Sequence, residues 1–156
     1  SAHMSEKVIK SLDEKSISFF DSLISSFFES RHIWPNEYIR HLSMVMHTNA
    51  QHGNIIIIGR GGSFILKDKA FRVRIIAPLE YRVNKVMTDR RMSLKEATEY
   101  VRQFDSDQIA FVKRYFNEDI NDPKHYDILI NTGSVTIESA AESVKKAFLS
   151  WKSARQ

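Results

Sequence analysis

Two short segments of the sequence combine glycine with polar side chains that could hold an anion. The first is Gly59-Arg60-Gly61-Gly62-Ser63, and the second is Asn131-Thr132-Gly133-Ser134. Glycine lets the backbone come close to a ligand, and the planar guanidinium of Arg60 matches the oxygens of a phosphate. The same residue types are also typical of tight turns between a strand and a helix. The residues by themselves leave a phosphate site and a plain turn as equal alternatives.

Each of these segments follows a run of aliphatic, largely β-branched residues. Short apolar runs bounded by turn residues are typical of strands that are buried on both faces. The predicted strands span residues 54–59, 72–77 and 126–131. Because ligands of open parallel sheets bind beyond the carboxyl ends of the strands, both glycine-containing segments stand where a ligand site is expected.

Helical patterns separate the predicted strands. Ser93 followed by Glu96 is a capping box, which predicts a helix to about residue 116 with Ala97, Val101 and Phe104 facing inward. Further helices are predicted over 79–89 and from residue 136 onward. The alternation of strands and helices predicts an α/β fold, in which a parallel sheet carries flanking helices.

The first part of the chain is predicted to be helical. An apolar stripe runs along residues 17–28, and a second helix is predicted to begin at Pro35. Ser1-Ala2-His3-Met4 has the character of residues left by an expression vector. We therefore expect vector-derived residues 1–4, a helical segment 5–52 and a core domain 53–153.

Composition narrows the classes of function. The 156 residues include no Cys, which excludes disulfides and thiolate metal sites and fits a cytoplasmic protein. The formal net charge is +4, but Lys and Arg are spread along the chain, which argues against a nucleic-acid partner and allows a phosphate-bearing ligand. The longest aliphatic run, Ile55–Ile58, is far too short to span a membrane. The six His show no metal-ligand spacing, so no metal site is expected.

The order of these motifs resembles the cytidylate-kinase-like family, which has the P-loop fold of nucleoside monophosphate kinases. The resemblance rests on Ile58-Gly59-Arg60 at a strand end, on Glu80-Tyr81-Arg82 at the start of a helix, and on the last strand with its polar loop at 126–132. The aromatic end of the long helix and the turn at Asp122-Pro123 fit the same family. The resemblance covers about residues 53–150.

This resemblance implies a domain that passes a phosphoryl group from ATP, with Mg²⁺, to a nucleoside monophosphate. By position, Arg60 would hold the acceptor phosphate, and Arg82 would lie near the phosphates. The lid helix would add a basic residue and an acidic one. No residue receives a catalytic role. The residues that the resemblance implies for phosphate or nucleotide binding are Arg60, Gly59, Gly61, Arg82, Asp105, Lys113 and Arg114.

The sequence departs from the family at three places. The loop Gly-x-x-x-x-Gly-Lys-Ser/Thr, whose backbone N–H groups and Lys grip ATP, occurs nowhere in the 156 residues. Gly61 stands where the resemblance leads us to expect Asp, and Asp107 stands in the lid where a basic residue is expected. We therefore expect this chain by itself to be inactive as a kinase, and its cofactor stays undetermined.

Two explanations of the missing loop stay open. The chain is either a piece of a longer kinase whose loop precedes residue 5, or a natural pseudokinase that acts as an interaction or regulatory module. In both cases the missing strand would lie between those at 55–58 and 73–77. Because each buried, unpaired backbone group costs about 1–3 kcal/mol, we expect self-association or a partner chain that completes the sheet.

Overall fold

A computed structural model describes residues 35–155 of the chain. The chain divides between Tyr38 and Ile39, and the architecture below is that of the unit from Ile39 onward. The helical stripe predicted at 17–28 and the residues 1–4 that are predicted to be vector-derived lie outside the described part, and the predicted boundary at 52/53 stays a prediction. None of the helices described is both long enough and apolar enough to cross a bilayer.

The described elements alternate as the sequence predicts. Helices begin where a cap or proline favours them: Pro35 opens the first helix, and Thr136 accepts a hydrogen bond from the Ser139 amide at the start of the last one. Short 3₁₀ turns precede each strand. In chain order the elements are α1 (Pro35–Gln51), α2 (Gly62–Leu66), β1 (Val73–Ile76), α3 (Leu79–Arg90), α4 (Leu94–Phe116), β2 (Ile128–Asn131) and α5 (Ile137–Ser153).

The sheet of the described unit consists of β1 and β2, which pair in parallel. The register places Val73 opposite Ile128 and Ile76 opposite Asn131. Helices α3 and α4 lie between the two strands in sequence, which is the crossover that parallel strands require. The predicted α/β class, with a parallel sheet and flanking helices, is confirmed.

The strand predicted at Ile55–Ile58 is wrong. These residues form no regular element and pair with neither strand of the described sheet. Ile56 is 90% exposed, and Ile58 is 64% exposed. A strand is defined by the neighbour that accepts and donates its backbone hydrogen bonds, and within residues 35–155 this run has none.

Helix α4 carries the core of the unit on one face. Ser93 and Glu96 form both bonds of the predicted capping box and fix its start. Towards its beginning, Ala97 and Val101 pack with Val83 of α3, and near its end Val112 packs with Phe64 and Ile120. The two apolar clusters therefore lie at opposite ends of the same helix.

The prediction that Phe104 faces inward is wrong, because Phe104 is 36% exposed and belongs to neither apolar cluster. Successive residues of a helix are rotated by about 100°, so the position between Val101 and Val112 on the buried face is that of Asp105. The inward face of α4 is thus interrupted by a carboxylate between its two apolar clusters. This carboxylate, Asp105, is one of the residues that the sequence predicts for the phosphate site.

Candidate functional site

The turn before α2 has an uncommon backbone conformation. Gly59, Arg60 and Gly61 all have positive φ angles, of 71°, 56° and 69°. Two of the three are glycine, for which this conformation carries little steric cost, whereas Arg60 is held there against its preference. The Gly62 amide donates to the Gly59 carbonyl over 3.0 Å, and the amides of Phe64 and Ile65 both donate to Gly61. The turn therefore leads directly into α2, which begins at Gly62.

Gly61 lies in close contact with the aromatic end of α4. A Cβ atom at this position would be 2.5 Å from Cε2 of Phe116 and 3.3 Å from Cε1 of Phe111. Phe116 is itself stacked on Phe64, with ring centroids 5.2 Å apart, so its ring is held in place. The Asp that the family resemblance leads us to expect at position 61 has no room here. The close approach of the Phe116 ring therefore accounts for glycine at this position.

Arg82 and Asp105 form the best-defined polar contact among the predicted site residues. Nη1 and Nη2 of Arg82 donate to the two carboxylate oxygens of Asp105 over 2.7 and 2.9 Å. Nε of Arg82 donates to the carbonyl of Ala77, directly after β1, over 3.1 Å. The side chains are about one third exposed, at 33% and 40%. The bidentate pair joins α3 to α4 at the carboxyl end of the sheet.

Helix α4 also shows which predicted residues do not come together. From Asp105 to Phe116, which contacts Gly61, the rise of about 1.5 Å per residue amounts to about 16 Å along the axis. The turn at Gly59–Gly61 and the pair Arg82–Asp105 therefore lie beside the same helix, α4, but at different positions along its axis. Lys113 and Arg114 lie near the C-terminal end of α4, with exposed side chains, and the guanidinium of Arg114 lies 5.7 Å from the ring centre of Tyr115.

The second glycine-containing segment is a structural turn. The Thr132 amide donates to the Ile76 carbonyl over 2.8 Å, and the Gly133 amide donates to the side chain of Asn131 over 3.0 Å. The Ser134 amide donates to the Asn131 carbonyl. A Cβ atom at Gly133 would overlap the ring of Pro78, which explains the glycine. Its amides are thus engaged within the protein, and of the two alternatives for this segment the plain turn is favoured.

Sequence reasoning placed Arg82 and Asp105 in the site separately and missed that they bind each other. The two are 23 residues apart, and no local spacing rule connects α3 to the middle of α4. The signal that could have indicated the pair is a carboxylate on the apolar face of a helix, which requires a partner. No sequence pattern predicts that the main-chain carbonyl of Ala77 also accepts a hydrogen bond from Arg82.

The residues at hand do not fit Mg²⁺–ATP, which the family resemblance implies. The sequence lacks the Lys and the Ser/Thr that hold the phosphates and the metal in a P-loop. In the part of the chain that the structure describes, no three His, Asp or Glu side chains converge as a metal site would require. What the geometry offers is the guanidinium of Arg60 at the turn before α2 and that of Arg82 in the first turn of α3, a chemistry suited to binding a phosphate group.

Comparison with known proteins gives a consistent result. A family model described as the cytidylate kinase-like family matches residues 1–134. The cytidylate kinase of Pyrococcus horikoshii is 31% identical over 101 residues, which are 63% of this chain and 51% of that protein. The cytidylate kinase of Thermococcus sibiricus is 33% identical over 86 residues, which are 53% of this chain and 43% of that protein. The chain spans about half the length of these curated relatives.

Proposed function

Because the chain belongs to the cytidylate kinase-like family, we propose that its core binds a nucleoside monophosphate or a simpler phosphate-bearing ligand. The family relates the chain to phosphoryl transfer from ATP to a nucleoside monophosphate. We propose both the class of ligand and the residues that hold it.

The observation that carries the proposal is the anchored guanidinium of Arg82. Three of its N–H groups are engaged, one by Ala77 and two by Asp105, and each terminal nitrogen retains one further N–H. The group is held at the carboxyl end of β1, where ligands of parallel sheets bind. A phosphate oxygen is the natural acceptor for the remaining donors, because Arg–phosphate bonds are charge-assisted.

Arg60 supplies the second proposed contact. Its backbone is fixed between two glycines with positive φ, so that the ligand can approach the main chain of the turn. Lys113 and Arg114 belong to the proposal as exposed basic groups in the last turn of α4, because their long side chains can reach an anion bound beside this end of the helix.

We propose further that this chain does not catalyse phosphoryl transfer by itself. Its 156 residues hold no Walker A loop, so neither the γ-phosphate nor Mg²⁺ has its usual ligands. A pseudokinase that acts as an interaction module is the second candidate. The run Ile55–Ile58, which is exposed except for Ile57, favours it, because clustered exposed aliphatic residues are typical of surfaces that other chains cover. Self-association or a partner chain is part of this candidate.

The cytoplasmic location inferred from the sequence stays a prediction. Fractionation of cells that express the natural gene would test it, with the protein expected in the cytosolic fraction.

Calorimetric titration with CMP and with inorganic phosphate tests the binding proposal. We expect the wild-type chain to bind both, Arg82→Ala to weaken the binding of both ligands by about tenfold or more, and Arg60→Ala to weaken the binding of the larger ligand CMP by as much, the size of a lost charged hydrogen bond. Arg102→Ala is the matched control, because this exposed Arg of α4 belongs to neither contact. A coupled assay with ATP and CMP, UMP or dCMP is expected to show no turnover.

Three results would contradict these proposals. Equal affinities in all four proteins, or no binding in any, would mean that both Arg residues have only a structural role. Steady turnover that Arg60→Ala abolishes would mean that the chain is an active kinase, and the inactive state proposed for it would be wrong.

A further inference from the structure

The main chain just after β1 holds Arg82 through both its side chain and its backbone. The carbonyl of Ala77 accepts a hydrogen bond from Nε of Arg82 over 3.1 Å, and the carbonyl of Pro78 accepts one from the Arg82 amide, also over 3.1 Å. Ala77 precedes a proline, which restricts its backbone to extended conformations. The position of the guanidinium therefore depends on where the peptide between Ala77 and Pro78 lies.

The turn after β2 contacts the residues on both sides of Ala77. The side-chain hydroxyl of Thr132 donates to the carbonyl of Ile76 over 3.2 Å, and the Thr132 amide donates to the same oxygen over 2.8 Å. One residue later, a Cβ atom at Gly133 would lie 2.2 Å from Cδ of Pro78, so the turn lies directly against the proline ring. The segment that anchors Arg82 is thus held from the neighbouring strand.

The hydroxyl of Thr132 is not needed to form this turn. The turn is closed by the amides of Gly133 and Ser134, which both donate to Asn131. Thr132 is 9% exposed, whereas these three neighbours are exposed. A buried hydroxyl requires a partner, and here the partner is the carbonyl directly before the one that binds Arg82.

We propose that Thr132 is a positioning residue for Arg82: by fixing the end of β1, its hydroxyl holds the guanidinium in the orientation that receives a phosphate oxygen. This inference rests on the phosphate binding proposed above for Arg82. Asp105 holds the terminal nitrogens of Arg82 from α4, whereas the end of β1 holds Nε. The second glycine-containing segment therefore acts on the ligand site through Arg82.

The Nε–H group of Arg82 reports on this positioning without any ligand. NMR measures its rate of exchange with water, and the signal is assigned by its loss in Arg82→Ala. We expect exchange to be several-fold faster in Thr132→Val, which removes only the hydroxyl, and to stay near the wild-type rate in Thr132→Ser, which keeps it. Thr88→Val is the matched control, because the Thr88 hydroxyl donates to the carbonyl of Asn84 on the same helix as Arg82. It is expected to leave the rate unchanged.

Calorimetry with inorganic phosphate tests the consequence for binding. Thr132→Val is expected to weaken phosphate binding by about three- to tenfold, the size of one neutral hydrogen bond, and Thr132→Ser to bind as the wild-type chain does. In the Arg82→Ala background, Thr132→Val should have no further effect, because a residue that acts through Arg82 then has nothing to position. A role in the turn alone would lower stability and leave both the Nε–H exchange and the affinity of the folded chain unchanged.

Three results would overturn the inference. They are an Nε–H exchange rate that Thr132→Val leaves unchanged, wild-type phosphate affinity in Thr132→Val, and a loss of affinity of the same size with and without Arg82. Wild-type affinity in Arg82→Ala would instead refute the proposed function. The exchange rate in the ligand-free chain would then still decide whether Thr132 positions Arg82.

Discussion

At the scale of single residues, the site holds its own counter-ion. Asp105 meets Arg82 with two parallel bonds of 2.7 and 2.9 Å, the geometry in which a guanidinium also receives phosphate oxygens. A phosphate that binds Arg82 must therefore share the guanidinium with a carboxylate or displace it. The negative charge of Asp105 disfavours an incoming anion in both cases.

We predict that Asp105→Asn binds phosphate more tightly than the wild-type chain and is less stable. The amide keeps the size of the side chain but removes the charge that opposes the anion. The affinity for inorganic phosphate is expected to rise several-fold. The free energy of unfolding is expected to fall by about 0.5–1.5 kcal/mol, a value reduced because the pair is partly exposed to water. Calorimetry and chemical unfolding measure the two effects.

Asp107→Asn is the control for this prediction. Asp107 lies on the same helix and accepts a hydrogen bond from Gln103, but it has no described contact with Arg82. Both measurements should stay near wild type. If Asp105→Asn lowered stability without any change in phosphate affinity, the pair would be a purely structural bond between α3 and α4.

At the scale of elements, the docking of α2 against α4 depends on the absence of one methyl group. Gly59 and Gly61 share nearly the same positive φ, but their surroundings differ. A Cβ atom at Gly59 would meet nothing within 4 Å, whereas one at Gly61 would run into Phe116. Substitutions at the two positions therefore distinguish the free-energy cost of the backbone conformation, which both share, from the cost of a steric clash, which arises only at Gly61.

We predict that Gly61→Ala destabilises the chain more than Gly59→Ala. Gly59→Ala is expected to cost about 1 kcal/mol, because only the backbone conformation is disfavoured. Gly61→Ala adds the displacement of a ring packed in the core, for a total of about 2–4 kcal/mol. Urea unfolding of the two variants measures the difference. Equal losses would show that Phe116 moves aside at no cost.

At the scale of the whole molecule, a charged pair ties the sheet together at its amino end. Nη2 of Arg72 donates to Asp127 over 2.9 Å, and the Arg72 amide donates to the same carboxylate over 2.7 Å. The hydrogen bond from the Arg72 side chain lowers the pKa of the Asp127 carboxyl, and the same bond raises the pKa of Arg72. The residues before β1 and before β2 are thus joined by side chains as well as by the main chain.

We predict a specific pH dependence of global stability from this pair. Because the pKa of Asp127 is lowered by folding, its contribution is complete above the pKa of an unfolded carboxyl, about 4, and is lost as the pH falls through the lower folded value. At neutral pH, Asp127→Asn is expected to cost about 1–3 kcal/mol. Denaturant unfolding from pH 7 to pH 3 should show the two proteins converging below about pH 4.

Asp89→Asn provides the comparison, because Asp89 forms an exposed pair with Lys85 at the surface of α3. Its effect on the free energy of unfolding should stay within about 0.5 kcal/mol at every pH. A gap between Asp127→Asn and wild type that stays constant down to pH 3 would contradict the assigned role of the carboxylate.

The elements that sequence predicts correctly are those fixed by local chemistry. Ser93 and Glu96 cap α4 through contacts within one turn, and the aliphatic runs of β1 and β2 find each other as expected. The run Ile55–Ile58 reads the same way in sequence, but it forms no strand because the neighbour it needs is decided by tertiary structure. Asp105 was assigned to the site, whereas its bond to Arg82 depends on how two helices cross, which no spacing rule contains.

The contact between Gly61 and Phe116 also constrains how this lineage can change. An acidic side chain at position 61 collides with a ring that Phe64 holds in place, so that mutation is disfavoured while Phe116 stands. The reverse order, a smaller residue at 116 and then an acid at 61, passes through an intermediate with a cavity but no collision. An acidic residue at this turn is therefore reached more easily in one order of steps than in the other.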